Sequence, residues 1–303
     1  MIVSMENLRV KLVGGLGNQI FGYMGGYWLA KNLDKNLVLD FSEVSYKHSK
    51  FDLTSFDLNA NIENHNISNP FRNLASRFNA SLDYRLPKIA KKVIFSTEKF
   101  RDKGFTSNQN FSTNKKHITA RGYFQDMRYV EFFLKDNPVL NLVEKNSNLN
   151  SLKKLINKPN QIAIHVRRGD FVSAKDYHGV LDIKWYTNIL KQYENSYSEP
   201  YDLWLFTNDK SWTEEKFSNL TVMNCRQMFF ITDEILPDPA ESFLLFSEAP
   251  LKICANSTFS ILSSRMGNGV VYVPTIMNKL KNQQDLELSF PNDWQKINPV
   301  WEK

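Results

Sequence analysis

His165-Val-Arg-Arg-Gly-Asp170 is the segment of this 303-residue chain best equipped for chemistry. Two adjacent guanidiniums follow an apolar run, Gln161-Ile-Ala-Ile164, that reads as a buried strand. An ordinary surface would spread such charge over alternate positions. At the carboxyl end of a buried strand the pair points into the crevice where open α/β sheets take ligands. Guanidinium offers a planar, bidentate grip on a diphosphate, and Asp170 can hold one arginine in place. A structural ion-pair cluster is the competing reading. His165, at the strand end, either contacts the ligand or is a satisfied structural residue.

Two further segments have chemical potential. Gly14-Gly-Leu-Gly-Asn-Gln19 is a glycine turn between a strand and a helix, where backbone can approach a ligand and the helix start favours an anion. With Asp40 at the end of the following strand it invites a dinucleotide-binding reading, and hence an NAD-linked oxidoreductase. The spacing fails, because the third glycine should fall where Ile20 stands. A tight turn with no ligand is the alternative. Asn256-Ser-Thr-Phe-Ser260 brings hydroxyls and free N–H groups to a helix start, as an anion seat or as simple capping by Ser257.

The elements that must position these residues alternate. Arg9–Val13, a helix over Asn18–Lys31 and Leu37–Asp40 form a β-α-β unit, with Ile20, Met24, Tyr27 and Trp28 on one helix face. Residues 42–115 are polar, weakly periodic and hard to assign. Ile118–Gln125 reads as a strand running into a helix that starts near Asp126. Asn146–Ser151 and Lys158–Asn160 read as loop and mark a boundary. Beyond it, strands are expected at Gln161–Val166, Leu203–Thr207, Lys252–Ala255 and Gly269–Val273. Helices should be opened by Asp182, by the capping box Ser211-x-x-Glu214, by Asp238-Pro-Ala-Glu241 and by Ser257. The expectation is α/β throughout: two facing Rossmann-like domains with parallel sheets, residues 1–157 and 158–303, with the C-terminal tail packing back on the first.

Bulk properties exclude several classes. Apolar residues at 42% and charged residues at 23% describe a globular chain. The net charge of +6 is scattered, which suits an anionic ligand or membrane surface, and no basic run interleaved with aromatics points to nucleic acid. Cys225 and Cys254 form no C-x-x-C, so neither a zinc knuckle nor a disulfide scaffold is expected and a reducing compartment fits. Cys254 reads as a buried small hydrophobe. The uncharged stretch Leu12–Ala30 holds glycines, Asn18 and Gln19 and is read as strand, turn and helix rather than a membrane span. No signal-peptide pattern opens the sequence, so a cytoplasmic enzyme is expected.

Five motifs in order carry a resemblance over roughly residues 9–295. Gly-Gly-Leu-Gly-Asn-Gln19, Gly122-Tyr-Phe-Gln125, His165-Val-Arg-Arg-Gly-Asp170 with His178-Gly179, Asn256-Ser-Thr-Phe-Ser260 and Pro291-x-x-Trp294 resemble the bacterial-type α-1,2-fucosyltransferases. The resemblance implies a GT-B fold. It also implies metal-independent, inverting transfer of L-fucose from GDP-fucose to the 2-hydroxyl of a galactose-containing acceptor, in surface polysaccharide (O-antigen) synthesis. No cofactor is implied beyond the donor substrate, and peripheral contact with the inner face of the cell membrane is compatible with it. The implied catalytic residues are Arg167 and Asn18. The donor site comprises His165, Arg167, Arg168, Asp170, Asn208, Asp209, Asn256, Ser257 and Thr258. Asn208 stands where relatives often carry a guanine-reading acid, which leaves Asp209 as the alternative. Gly17, Asn18, Gln19, Tyr123, Gln125 and His178 fall on the acceptor side, with a pocket shaped by residues 42–115. No metal ligands are expected, since the sequence contains no Asp-x-Asp. Asp170 and Asp176 are the nearby carboxylates for a general base.

Overall fold

The computed structural model describes residues 6–42, 44, 52–63, 97–101, 117–137, 139–143, 147–220, 224–280 and 290–303. Most of the segment expected to shape the acceptor pocket lies outside the described residues. The chain divides into two compact units, Met1–Thr54 with Leu58–Asn137, and Ser55–Asp57 with Pro138–Lys303.

The first unit is built on a parallel sheet. Strands β1 (Asn7–Lys11), β2 (Asn36–Asp40), β3 (Asn61–Glu63), β4 (Thr97–Arg101) and β5 (His117–Arg121) take the order β3-β2-β1-β5-β4. The helix Leu16–Leu33 joins β1 to β2 and is buried along Ile20–Ala30 on every face, not on one stripe. Its glycines make this possible: a Cβ on Gly25 would run into the Phe124 ring, and one on Gly26 would crowd Val10. Among the described residues no helix is long and apolar enough to cross a membrane.

A second parallel sheet forms the core of the other unit. It comprises β6 (Gln161–Val166), β7 (Tyr201–Thr207), β8 (Cys225–Ile231), β9 (Leu251–Ile253), β10 (Val270–Pro274) and β11 (Gln295–Ile297), in the order β11-β10-β9-β6-β7-β8. Strand β6 is buried at every position, as a central strand covered on both faces must be. Ile162, Ile164, Leu203 and Leu205 pack with Trp185, Ile189 and Phe217 of the covering helices. Asp182, Asp238 and Ser257 cap the helices Ile183–Ser196, Pro239–Ser247 and Thr258–Met266 as expected, each accepting from a backbone N–H two residues on.

Three expectations are corrected. Of the stretch Asn146–Ser151 read as loop, Ser147–Ser151 opens the helix Ser147–Ile156; Leu149 and Ile156 are buried and the helix packs against Pro239–Ser247, so tertiary burial outweighs the turn preference of its Asn and Ser residues. The helix Lys210–Ser218 is capped not by Ser211 but by Asp209, which accepts from Trp212 N. The tail belongs to the second unit, where β11 pairs with β10 and Glu302 N donates to Val180 O at 2.8 Å.

Candidate active site

In the sheet of the second unit the chain leaves two neighbouring strands in opposite directions, between β6, which leads to β7, and β9, which leads to β10. The carboxyl ends of two such strands leave an open crevice. His165 and Val166 end β6, Arg167–Asp170 follow it and Asn256–Thr258 follow β9, so the two motifs meet at that crevice.

The adjacent arginines have different fates. Arg168 is enclosed, its side chain only 9% exposed. Its Nε donates to Asp209 Oδ2 at 3.1 Å, its Nη1 donates to Glu302 Oε1, and its guanidinium lies 3.9 Å over the Trp212 ring. Its backbone N donates to Asn208 Oδ1 at 2.9 Å. Gly169, at φ +32°, lies against the Asn208 amide so closely that a Cβ there would collide with it. Arg167 is 31% exposed; its Nη2 pairs with Asp170 Oδ1 at 2.6 Å, and its guanidinium sits 5.2 Å over Phe171. Its Nε is buried and lacks a hydrogen-bond partner. Of the two arginines, the one that Asp170 holds is Arg167. Each carboxylate oxygen of Asp209 is engaged, one by the cap and one by Arg168. Asn208 remains exposed at the end of β7 while its carbonyl holds the turn.

His165 is buried between Phe246 and Phe259, with centroids 6.2 and 5.1 Å away, and its Nδ1 has no partner. Burial, helped by the nearby Arg167 charge, pushes its pKa down to about 3. The ring is neutral at any working pH and offers hydrogen bonding without charge.

Asn256, expected in the donor site, has its amide nitrogen engaged by backbone. Its buried Nδ2 reaches His178 O, Gly179 O and Met277 O at 3.0–3.2 Å, and so ties three backbone segments together. Ser257 caps the following helix through its Oγ, and it and Thr258 are half-buried at the helix start. His178, expected on the acceptor side, belongs to the second unit. It stacks on Phe171 at 4.4 Å and 9°, and its Nδ1 meets Asn278 Oδ1 at 3.1 Å. Arg167, Phe171 and His178 thus form one column.

In the first unit β1, which leads to β2, lies beside β5, after which the chain leaves the sheet. Gly14 has φ +72°, and its missing Cβ leaves room for the Asn18 amide. Gln125 Nε2 donates to Asn18 Oδ1 at 2.8 Å, so two predicted acceptor-side residues are brought together. Asn18 does not cap its helix; the N-cap is Gly15. Tyr123 is exposed, and the buried Phe124 between it and Gln125 takes the left-handed φ of +50°, a strained conformation for an aromatic residue. Gln19 is corrected. It is fully buried, donates to Gly14 O at 2.9 Å and accepts from Leu53 N, so it braces the turn and reaches no ligand. Gly17 is buried as well. Asp40 is buried, accepts from Ser42 N at 2.9 Å and lies 4.0 Å from Arg9.

Sequence reasoning missed Glu302, Trp212 and Phe171. The Trp and Phe lie close to the motif segments, but no local pattern marks Glu302. Among the described residues no three His, Cys, Asp or Glu side chains gather as a metal site.

Comparison with known proteins gives this arrangement its context. The family model described as Glycosyl transferase family 11 matches residues 8–298. The chain is 26% identical to an alpha-1,2-colitosyltransferase of Escherichia coli over 287 residues, covering 89% of this chain and 92% of that protein. It is 28% identical to the O-antigen biosynthesis glycosyltransferase WbnK of Escherichia coli over 281 residues, covering 82% and 86%. Among solved structures it resembles NodZ alpha-1,6-fucosyltransferase of Bradyrhizobium co-crystallised with GDP, with a TM-score of 0.53, 12% identity and coverage of 88% and 93%. The expected α/β architecture of GT-B type, with parallel sheets, holds.

Proposed function

The chain belongs to glycosyl transferase family 11, and we propose that it moves L-fucose from GDP-fucose to the 2-hydroxyl of a galactoside acceptor, inverting the anomeric carbon without a metal ion. Family membership removes the nicotinamide oxidoreductase as an alternative. The observation that carries the reading is the split between the arginines: Arg168 is locked in place, while Arg167 stands partly exposed with an unpartnered Nε.

The chemistry follows from that split. As the bond from the sugar to the β-phosphate breaks, its electron pair stays on the phosphate oxygen. Arg167 is preorganised to receive that charge, and the helix start at Ser257 and Thr258 adds backbone N–H groups. Neutral His165 can bond to the nucleotide without titrating. Asn208, exposed after β7, is the residue through which guanine would be read in preference to uracil. On the acceptor side Asn18, held by Gln125, orients the hydroxyl; a carboxamide does not titrate in the useful range and so does not take its proton. A role in O-antigen synthesis is supported by the similarity to WbnK, and a galactose-containing acceptor is what the motif resemblance implies. A cytoplasmic enzyme in peripheral contact with the inner membrane face is supported by the net charge of +6.

A second reading concerns the donor sugar alone. The similarity to a colitosyltransferase favours colitose, which is L-fucose without its 3-hydroxyl. A galactoside array incubated with GDP-fucose or GDP-colitose, followed by linkage analysis of the products, tests both. Fucose on the 2-hydroxyl of galactose is the expected product. Faster transfer of colitose would replace the donor, and a product linked elsewhere would overturn the regiochemistry.

A further inference from the structure

Val300–Glu302 runs along Val180–Asp182. Asp182 N donates to Val300 O and Glu302 N donates to Val180 O, both at 2.8 Å, while Leu181 and Trp301 form an antiparallel bridge between them. The Trp301 ring occupies the space a Cβ on Gly179 would need, at a position whose φ of +75° already favours glycine. These contacts fix the direction in which Glu302 points, and its carboxylate meets Arg168. Arg168 and Arg167 share no side-chain partner among these contacts. Its backbone takes φ −129° and ψ −95°, an uncommon conformation, and Gly169 follows at φ +32°. Such a turn persists only when its surroundings over-determine it. Three groups do so through the Arg168 guanidinium: Asp209, the Trp212 face and Glu302.

We propose that Glu302 is a positioning residue for the diphosphate grip, acting through Arg168 to fix the turn that aims Arg167; this rests on the diphosphate-donor reading above. Without the Glu302 charge, an enclosed guanidinium keeps one carboxylate of two. A buried cation so undercompensated draws toward water, and the turn moves with it. Arg167 would then meet the diphosphate from a displaced backbone, and small displacements of a preorganised group are costly.

The test is a double-mutant cycle read by calorimetric titration, with GDP and inorganic pyrophosphate as probes and a melting curve for each variant. Glu302→Gln is expected to weaken GDP by about tenfold, the range found for residues that act on a site without touching its ligand. Glu302→Asp, which keeps the charge, should lie closer to wild type. The decisive comparison is Arg167→Ala against Arg167→Ala with Glu302→Gln. If Glu302 acts through Arg167, the second change costs nothing further in affinity, whereas general loosening of the unit multiplies the losses. The proposal is overturned if the losses multiply, or if Glu302→Gln binds within about twofold of wild type while Arg167→Ala does not. Wild-type protein that binds pyrophosphate but not GDP fells the nucleotide reading alone, and the cycle is then read on pyrophosphate. Wild-type protein that binds neither probe overturns both.

Discussion

The two units place a glycine-containing turn at equivalent points, after β1 and after β6, and put opposite chemistry there. The turn after β1 is neutral and leads at once into the helix Leu16–Leu33. Its amides are met by neutral partners: Gln19 holds Gly14 and accepts from Leu53 N, and Asn18 accepts from Gln125. After β6 comes a turn that carries two guanidiniums and passes through two short helical pieces, Gly169–Ser173 and Lys175–His178, before the helix Ile183–Ser196 begins. The longer excursion gives room for carboxylates and an aromatic ring to cage one arginine and leave the other partly exposed. A shared architectural position therefore does not fix chemistry. What differs is the chemistry that satisfies the polar groups at the turn: neutral amide and backbone partners in the first unit, carboxylates and aromatic faces in the second.

The comparison breaks most visibly at Arg167. Arg167→Ala should lower turnover on the order of 10²–10³, the usual cost of losing a preorganised charge-stabilising donor, and Arg167→Lys should rescue little because an ammonium cannot bridge two oxygens in one plane. A folded Arg167→Ala protein that keeps most of its turnover would put the diphosphate elsewhere. At the neutral turn the effect should be smaller. Asn18→Ala should reduce turnover by about tenfold, the worth of one hydrogen bond, with little change in melting temperature because Asn18 is not the cap. Lost stability with normal turnover would make that turn purely structural.

The next prediction concerns how dry the charged turn is. His165 is held to a pKa of about 3 in the folded chain against 6.5 for the free group, so between these values the unfolded chain binds the extra proton. Stability is then complete above pH 6.5 and falls as the pH drops toward 3, by roughly 1 kcal/mol per pH unit. Melting curves between pH 6.5 and pH 5 should show a shallower decline for His165→Phe than for wild type. Equal slopes would mean that His165 is hydrated. The smallest effect is expected from excess EDTA, which should leave turnover nearly unchanged if Arg167 and the helix start supply the charge stabilisation. Activity lost to EDTA and restored by Mn²⁺ would remove that role from Arg167.

Much of this was legible in the chain itself where the physics is local. An apolar run ending in Arg-Arg-Gly-Asp must put its charge at a strand end, whatever surrounds it. Asp182, Asp238 and Ser257 announce their helices because a cap and its N–H lie two residues apart. The same locality misled at Ser147–Ser151, where Asn and Ser suggested loop and burial against a distant helix decided otherwise, and at Ser211, where Asp209 two residues earlier took the cap.

By itself the sequence determined the order of strands and turns, the family, and the presence of two arginines at one crevice. Only the tertiary structure decided which arginine is committed and which is partly exposed. Local chemistry gives Arg167 and Arg168 the same guanidinium and the same neighbouring Asp170. The difference comes from Asp209, 41 residues away, and Glu302, 134 residues away. An enclosed cation is tolerated only where opposite charge is brought to it, and here the β6–β7 pairing and the Val300–Glu302 strap bring it.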